Sequence, residues 1–169
     1  LYQRSSPVVV PQGFDLHTFK RSVQKAKTPA IKLPDNQPMI GYAGSINYRL
    51  DYQLLISLAK RNSHLNFVFV GQQQRNSIED RYTKTDYWLK RLLRLHNVFK
   101  ISNQPKELLP HVISQFTICL IPYNRKLDFN TYCYPMKLFE YFYMGRPVIS
   151  SSIAEVSRLR PLVMIAQDG

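Results

Sequence analysis

The chain is poor in cysteine, glycine, acidic residues and long apolar runs, and each shortage removes a class of protein. Its two cysteines, Cys119 in an apolar run and Cys133 in an expected loop, cannot build a disulfide framework. No Cys-x-x-Cys or Cys/His spacing offers a zinc site, and a reducing cytoplasm fits that usage. No apolar stretch reaches the roughly 20 residues that span a bilayer. The opening "LYQRSSPVVV" has neither an initiator Met nor the pattern of a signal peptide, so the chain reads as a piece of something longer. With 11 Asp and Glu against 23 Lys and Arg, the net charge is +12. That excess calls for a negative partner: nucleic acid, an anionic membrane face or a phosphorylated small molecule.

What is present suits one globular domain over residues 1–169, since 44% hydrophobic content in 169 residues can fill a single core. Short β-rich runs, at 7–11, 39–44, 66–71, 97–102, 116–123, 147–152 and 162–166, alternate with helical patterns. In "DYQLLISLAKR" (51–61), Leu54, Leu55, Leu58 and Ala59 recur at helical spacing, and 87–95 and 106–115 carry similar faces. Such alternation predicts a Rossmann-like α/β fold, a mostly parallel sheet of about six strands with helices on both faces. The basic, proline-broken stretch 20–38 is expected to be irregular. There is no internal repeat.

Among the six glycines, Gly44 and Gly71 fall at the carboxyl ends of expected strands, the edge where open α/β sheets bind ligands. Tight turns needing positive φ would place them there equally well. Gly145 reads as a helix stop ahead of Pro147.

The segment "YPMKLFEYFYMGRPVIS" (134–150) poses a sharper question. A helix over 135–144 would be apolar almost all round, yet it carries Lys137 and Glu140 one turn apart. A cation in a helix's first turn is disfavoured by about 0.3–1 kcal/mol. An anion held by the amino end and the Lys137 ammonium would offset this, and the Glu140 carboxylate could accept hydrogen bonds from paired hydroxyls such as those of a ribose. The simpler reading is an intrahelical Lys–Glu pair worth roughly 0.2–0.5 kcal/mol.

Four segments together resemble one family. "VVVPQGFDLHTF" (8–19), "MIGYAGSINYRLDYQLL" (39–55), "NFVFVGQ" (66–72) and "PYNRKLDFNTYCYPMKLFEYFYMGRPVISS" (122–151) are similar, in order and spacing, to the C-terminal, donor-binding domain of group 1 glycosyltransferases with the GT-B fold. The variant "PMKLFEY" resembles the bacterial polysaccharide and cell-envelope branch. The resemblance implies that Glu140 holds the nucleotide ribose, that Gly44 and Ser45 bring backbone to the diphosphate, and that Arg49 and Lys137 stabilise the leaving group. It implies a nucleotide-sugar of UDP or GDP type as substrate, no separate cofactor, and a glycan or lipid-linked acceptor bound by an N-terminal domain not in this chain. Tyr132 stands where the family's first donor-site Glu falls, which leaves the sugar and the stereochemistry open. Glu155, after the sixth strand, matches a helix-starting acidic residue and reads as a cap.

Since cleaving a sugar–diphosphate bond develops negative charge on the departing nucleotide, a catalyst must stabilise an anion. With no Asp-x-Asp pair to carry magnesium, the expectation is metal-independent transfer, and little or none by this chain alone. His17 and His64, placed in loops, and His96 and His111, placed on helices, have neither metal spacing nor a partnered nucleophile. The basic stretch 75–100, with Tyr87, Trp88 and Leu92, is either a solvated outer helix or an amphipathic one resting on anionic lipid at the inner face of a membrane. A nucleic-acid-binding module is the competing class, but no aromatic-basic RNA signature or helix-turn-helix supports it. An inactive GT-B scaffold is a third reading.

Overall fold

The computed structural model describes residues 13–25, 33–34, 37–74 and 78–166. The expected first strand, 7–11, lies outside them, as does Arg75. Fourteen elements follow in chain order: α1 Leu16–Lys25, β1 Met39–Ala43, α2 Tyr52–Arg61, β2 Asn66–Val70, α3 Ile78–Tyr82, α4 Thr85–Leu92, β3 Val98–Ile101, α5 Leu109–Ser114, β4 Ile118–Ile121, α6 Asp128–Thr131, α7 Lys137–Tyr143, β5 Val148–Ser150, α8 Ala154–Ser157 and β6 Met164–Ile165. The strands form one six-stranded sheet in the order β3-β2-β1-β4-β5-β6, and every pairing is parallel.

The sequence pattern explains the layering. β2, "NFVFV", is buried at every position, as a strand covered on both faces must be. Successive strand residues face opposite sides of a sheet. On β1, Ile40 lines an apolar trough with Leu54 and Leu58 of α2. Gly41, its neighbour, packs so closely under the Phe116 ring that a Cβ there would lie 2.1 Å from ring carbons. α2 therefore covers one face, and the segment that follows α5 covers the other. α2 starts on Asp51, whose side chain accepts from the Leu54 amide at 2.9 Å. Its expected face divides: Leu55 and Ala59 are fully buried, whereas Leu54 and Leu58 border the trough.

The strand order decides where ligands can go. From β1 the chain runs outward through β2 to β3, then crosses back to lay β4 on β1's other side. The loops after β1 and β4 thus leave in opposite directions and open a crevice at the carboxyl edge. That edge is built on Gly44 and Gly71, which hold φ of +151° and +149°. A Cβ on Gly71 would lie 2.1 Å from the Gly44 carbonyl oxygen, so both requirements, positive φ and close backbone approach, apply there.

Several expectations need correcting. The first part of 20–38 is not irregular: Lys20 to Lys25 belong to α1, whose Phe19 is buried. Phe19 meets Tyr143 edge-on at 5.2 Å, and Phe14 stacks on Phe139 at 5.6 Å. An aromatic seam thus secures helix where basic, polar composition suggested none. His17 lies on α1, and His96 in the turn before β3. Glu155 makes no capping bond; α8 starts after Ile153, and Glu155 pairs with Arg158 at 3.0 Å.

Candidate functional site

Tyr141 of α7 seats the site. Its fully buried hydroxyl accepts a 2.9 Å hydrogen bond from the Ala43 amide at the end of β1, a donor beyond the β1–β4 register, which ends at Gly41 and Cys119. Burial pushes this phenol's pKa well up, so it stays protonated. Because residues four apart share a helix face, anchoring Tyr141 over Ala43 puts Lys137 over Gly44. A Cβ on Gly44 would lie 3.0 Å from Lys137 Cε. At the far end Gly145, φ +62°, closes α7 as expected: its amide donates to Phe142 O at 2.9 Å and that of Arg146 to Tyr141 O at 3.0 Å.

α7 is shorter than 135–144; Pro135 and Met136 form a lead-in turn, with the Leu138 amide donating to Pro135 O at 3.0 Å. What accommodates Lys137 is a phenol and two rings: Nζ donates to Tyr123 Oη at 2.6 Å and stands 5.1 and 5.0 Å from the Tyr42 and Tyr123 ring centres. Nor is the intrahelical Lys–Glu pair formed.

Lys137 opens onto a polar cleft of about 270 Å³ lined by Tyr42, Ser45, Asn47, Arg49, Gln74 and Tyr123 as well. Ser45 is exposed; its carbonyl accepts from Tyr42 Oη at 2.9 Å. Asn47 Nδ2 donates to Gln74 Oε1 at 2.8 Å, tying the turn after β1 to the segment after β2. Arg49 stands with its Cζ 4.6 Å from the Tyr123 ring and 4.6 Å from that of Phe129, and its Nε donates to Asn130 Oδ1 at 2.9 Å. One aromatic ring, that of Tyr123, therefore carries both cations. Among the described residues no carboxylate lines the cleft, so two cations face a space suited to an anion.

Of the five residues expected here, the structure gathers four: Gly44, Ser45, Arg49 and Lys137 meet at the carboxyl edge. Glu140 is not among the residues lining this cleft. It is half-buried, and burial raises its carboxyl pKa against the opposing pull of Lys137 and Lys106. Tyr132 is 77% exposed. Sequence reasoning missed Tyr42, Tyr123, Asn47, Gln74 and Asn130. Tyr42 and Tyr123 were within reach, since each sits at or beyond the carboxyl end of a strand. Asn130 carries no local signal. The Cys133 thiol donates to Asn130 O at 3.2 Å, and burial raises its pKa against the pull of Arg49. Among the described residues no three His, Cys, Asp or Glu side chains gather as a metal site, and no helix is long and apolar enough to cross a membrane.

Comparison with known proteins places the chain's open parallel sheet among GT-B C-terminal-like folds. No protein-family model matches the chain. It is 26% identical over 153 residues to TuaH of Bacillus subtilis (strain 168), which carries the provisional name of a teichuronic acid biosynthesis glycosyltransferase; the match spans 86% of this chain and 36% of that protein. Sucrose-phosphate synthase from Thermosynechococcus elongatus superposes with TM-score 0.63 at 16% identity, over 90% of this chain and 36% of that one. Anabaena Alr3699/HepE, solved with UDP-glucose, superposes with TM-score 0.59 at 14% identity, over 79% and 36%. The chain thus spans about a third of the proteins it matches.

Proposed function

We propose that this chain is the donor-binding domain of a glycosyltransferase, taking a nucleoside-diphosphate sugar of UDP or GDP type. The observation that carries the reading is the convergence of Arg49 and Lys137, with no carboxylate among the described lining residues, on a cleft where β1 and β4 part. Two fixed cations beside the Gly44 turn suit a diphosphate, whose negative charge grows as the sugar leaves. TuaH's name and the UDP-glucose held by HepE support the same class. In the whole protein the acceptor, a glycan or a lipid-linked acceptor, would be bound by another domain across the cleft, and transfer would be metal-independent. Exposed Lys90, Arg91 and Arg94 beside Tyr87 support peripheral contact with anionic lipid.

Calorimetry with UDP, GDP and their sugar conjugates tests the reading. The expected result is at least one Kd in the micromolar range, weakened more for the diphosphate than for the bare nucleoside by Lys137→Ala. Absence of millimolar or tighter binding by all of them contradicts it. Salt-steep binding to RNA or DNA instead would favour the nucleic-acid class.

A further inference from the structure

The cleft needs the Arg49 guanidinium to point one way, yet arginine's long side chain reaches many rotamers and loses considerable entropy when ordered. Asn130 provides the constraint. It is 1% exposed within α6. Its Oδ1 accepts from Arg49 Nε at 2.9 Å, while Nδ2 donates to the carbonyls of Arg49 and Asn124, each at 2.9 Å. The amide has one workable orientation: turned over, it would set its NH₂ against an N–H and its oxygen against two carbonyls. One side chain thus clamps the backbone and side chain of a residue 81 positions away in sequence. With Nε occupied and the Tyr123 and Phe129 rings each 4.6 Å from Cζ, the Nη groups are left to serve the cleft that Arg49 lines. Phe129, 63% exposed, also gains a reason to hold a large ring in water.

We propose that Asn130 is a positioning residue that aims Arg49 at the phosphates of the ligand, with Phe129 covering the guanidinium; this rests on the nucleotide reading above. The test is a double-mutant cycle in the intact protein, with UDP, GDP and uridine as probes and thermal melts to verify folding. Asn130→Ala is expected to weaken the nucleoside diphosphate that binds by about 10-fold and uridine by less than about twofold, and to add less than about twofold in an Arg49→Ala background. An equal loss in both backgrounds, or an equal loss for uridine, overturns the proposal. If Asn130→Ala does not fold, Phe129→Ala at its exposed site is expected to give the same selective pattern at about threefold, and an unselective loss overturns the proposal. A ligand-free readout separates the two claims. Selective ¹⁵N-arginine labelling should show a slowly exchanging Arg49 Nε–H resonance that Asn130→Ala abolishes. Loss of nucleotide binding by the parent protein sinks the nucleotide reading, and an Arg49 resonance indifferent to Asn130→Ala sinks the clamp.

Discussion

Gly44 and Gly71 follow adjacent parallel strands, with nearly the same φ, +151° and +149°, yet they do different work. The position of a Cβ at Gly44 points at Lys137 Cε and Tyr42 Oη, 3.0 and 3.2 Å away, whereas at Gly71 it points at the Gly44 carbonyl oxygen, 2.1 Å away. One turn faces the cleft through side chains that can move; the other supports the first through backbone that cannot.

The comparison breaks most visibly at Gly71. Gly71→Ala combines an unfavourable φ with a backbone collision and should destabilise the protein by about 3 kcal/mol or more, read by urea unfolding. Gly44→Ala carries the same φ strain, about 1–3 kcal/mol, but its nearest neighbour is a flexible lysine. Its larger effect should be on UDP or GDP binding, measured calorimetrically. Tyr141→Phe leaves the buried Ala43 amide without its partner, a loss of about 1–3 kcal/mol, and should weaken diphosphate binding further by loosening Lys137. If it lowers stability but not affinity, α7 is not held in place from Ala43.

Two smaller effects sharpen the picture. Glu140's carboxyl has a raised pKa in the folded protein because burial disfavours its ionised form. The folded state therefore binds that proton more tightly than the unfolded chain, and stability falls as pH rises from the ordinary carboxylate range through the raised value. Glu140→Gln should be more stable than the parent at neutral pH, with the gap closing in acid, by melts across pH. If a ribose meets this carboxylate, the same substitution weakens nucleotide binding, and the two opposite signs distinguish a ligand contact from a merely tolerated charge. At the far edge, Arg158→Ala removes an ion pair whose arginine side chain is 75% exposed, and should change stability by less than about 0.5 kcal/mol.

Much was legible because it follows from short-range rules. Buried runs such as "NFVFV" have no stable place except a covered strand, strands alternating with helical patterns force parallel pairing, and Gly145 before Pro147 can only end a helix. The cationic site was half legible: Lys137 stood out as a charge where apolar neighbours leave little water, and Arg49 was flagged through family resemblance. What went wrong was local too. The Tyr123 and Tyr42 rings that meet Lys137 were not foreseen from the α7 segment. α1 was read from its polarity, when packing of Phe14 and Phe19 against α7 decides it.

The sequence alone determined the alternation of elements, the turn glycines and an excess of positive charge, because these depend on residues close together along the chain and on side-chain chemistry that context does not alter. Only the tertiary structure decided that Tyr123 serves both cations, that Asn130 holds Arg49 across 81 positions, and that Lys137 but not Glu140, three residues on, lines the cleft. Those outcomes depend on where β4 lies beside β1 and on the one Tyr141–Ala43 hydrogen bond that sets the rotation of α7, and long-range placement of that kind leaves no periodic mark in sequence.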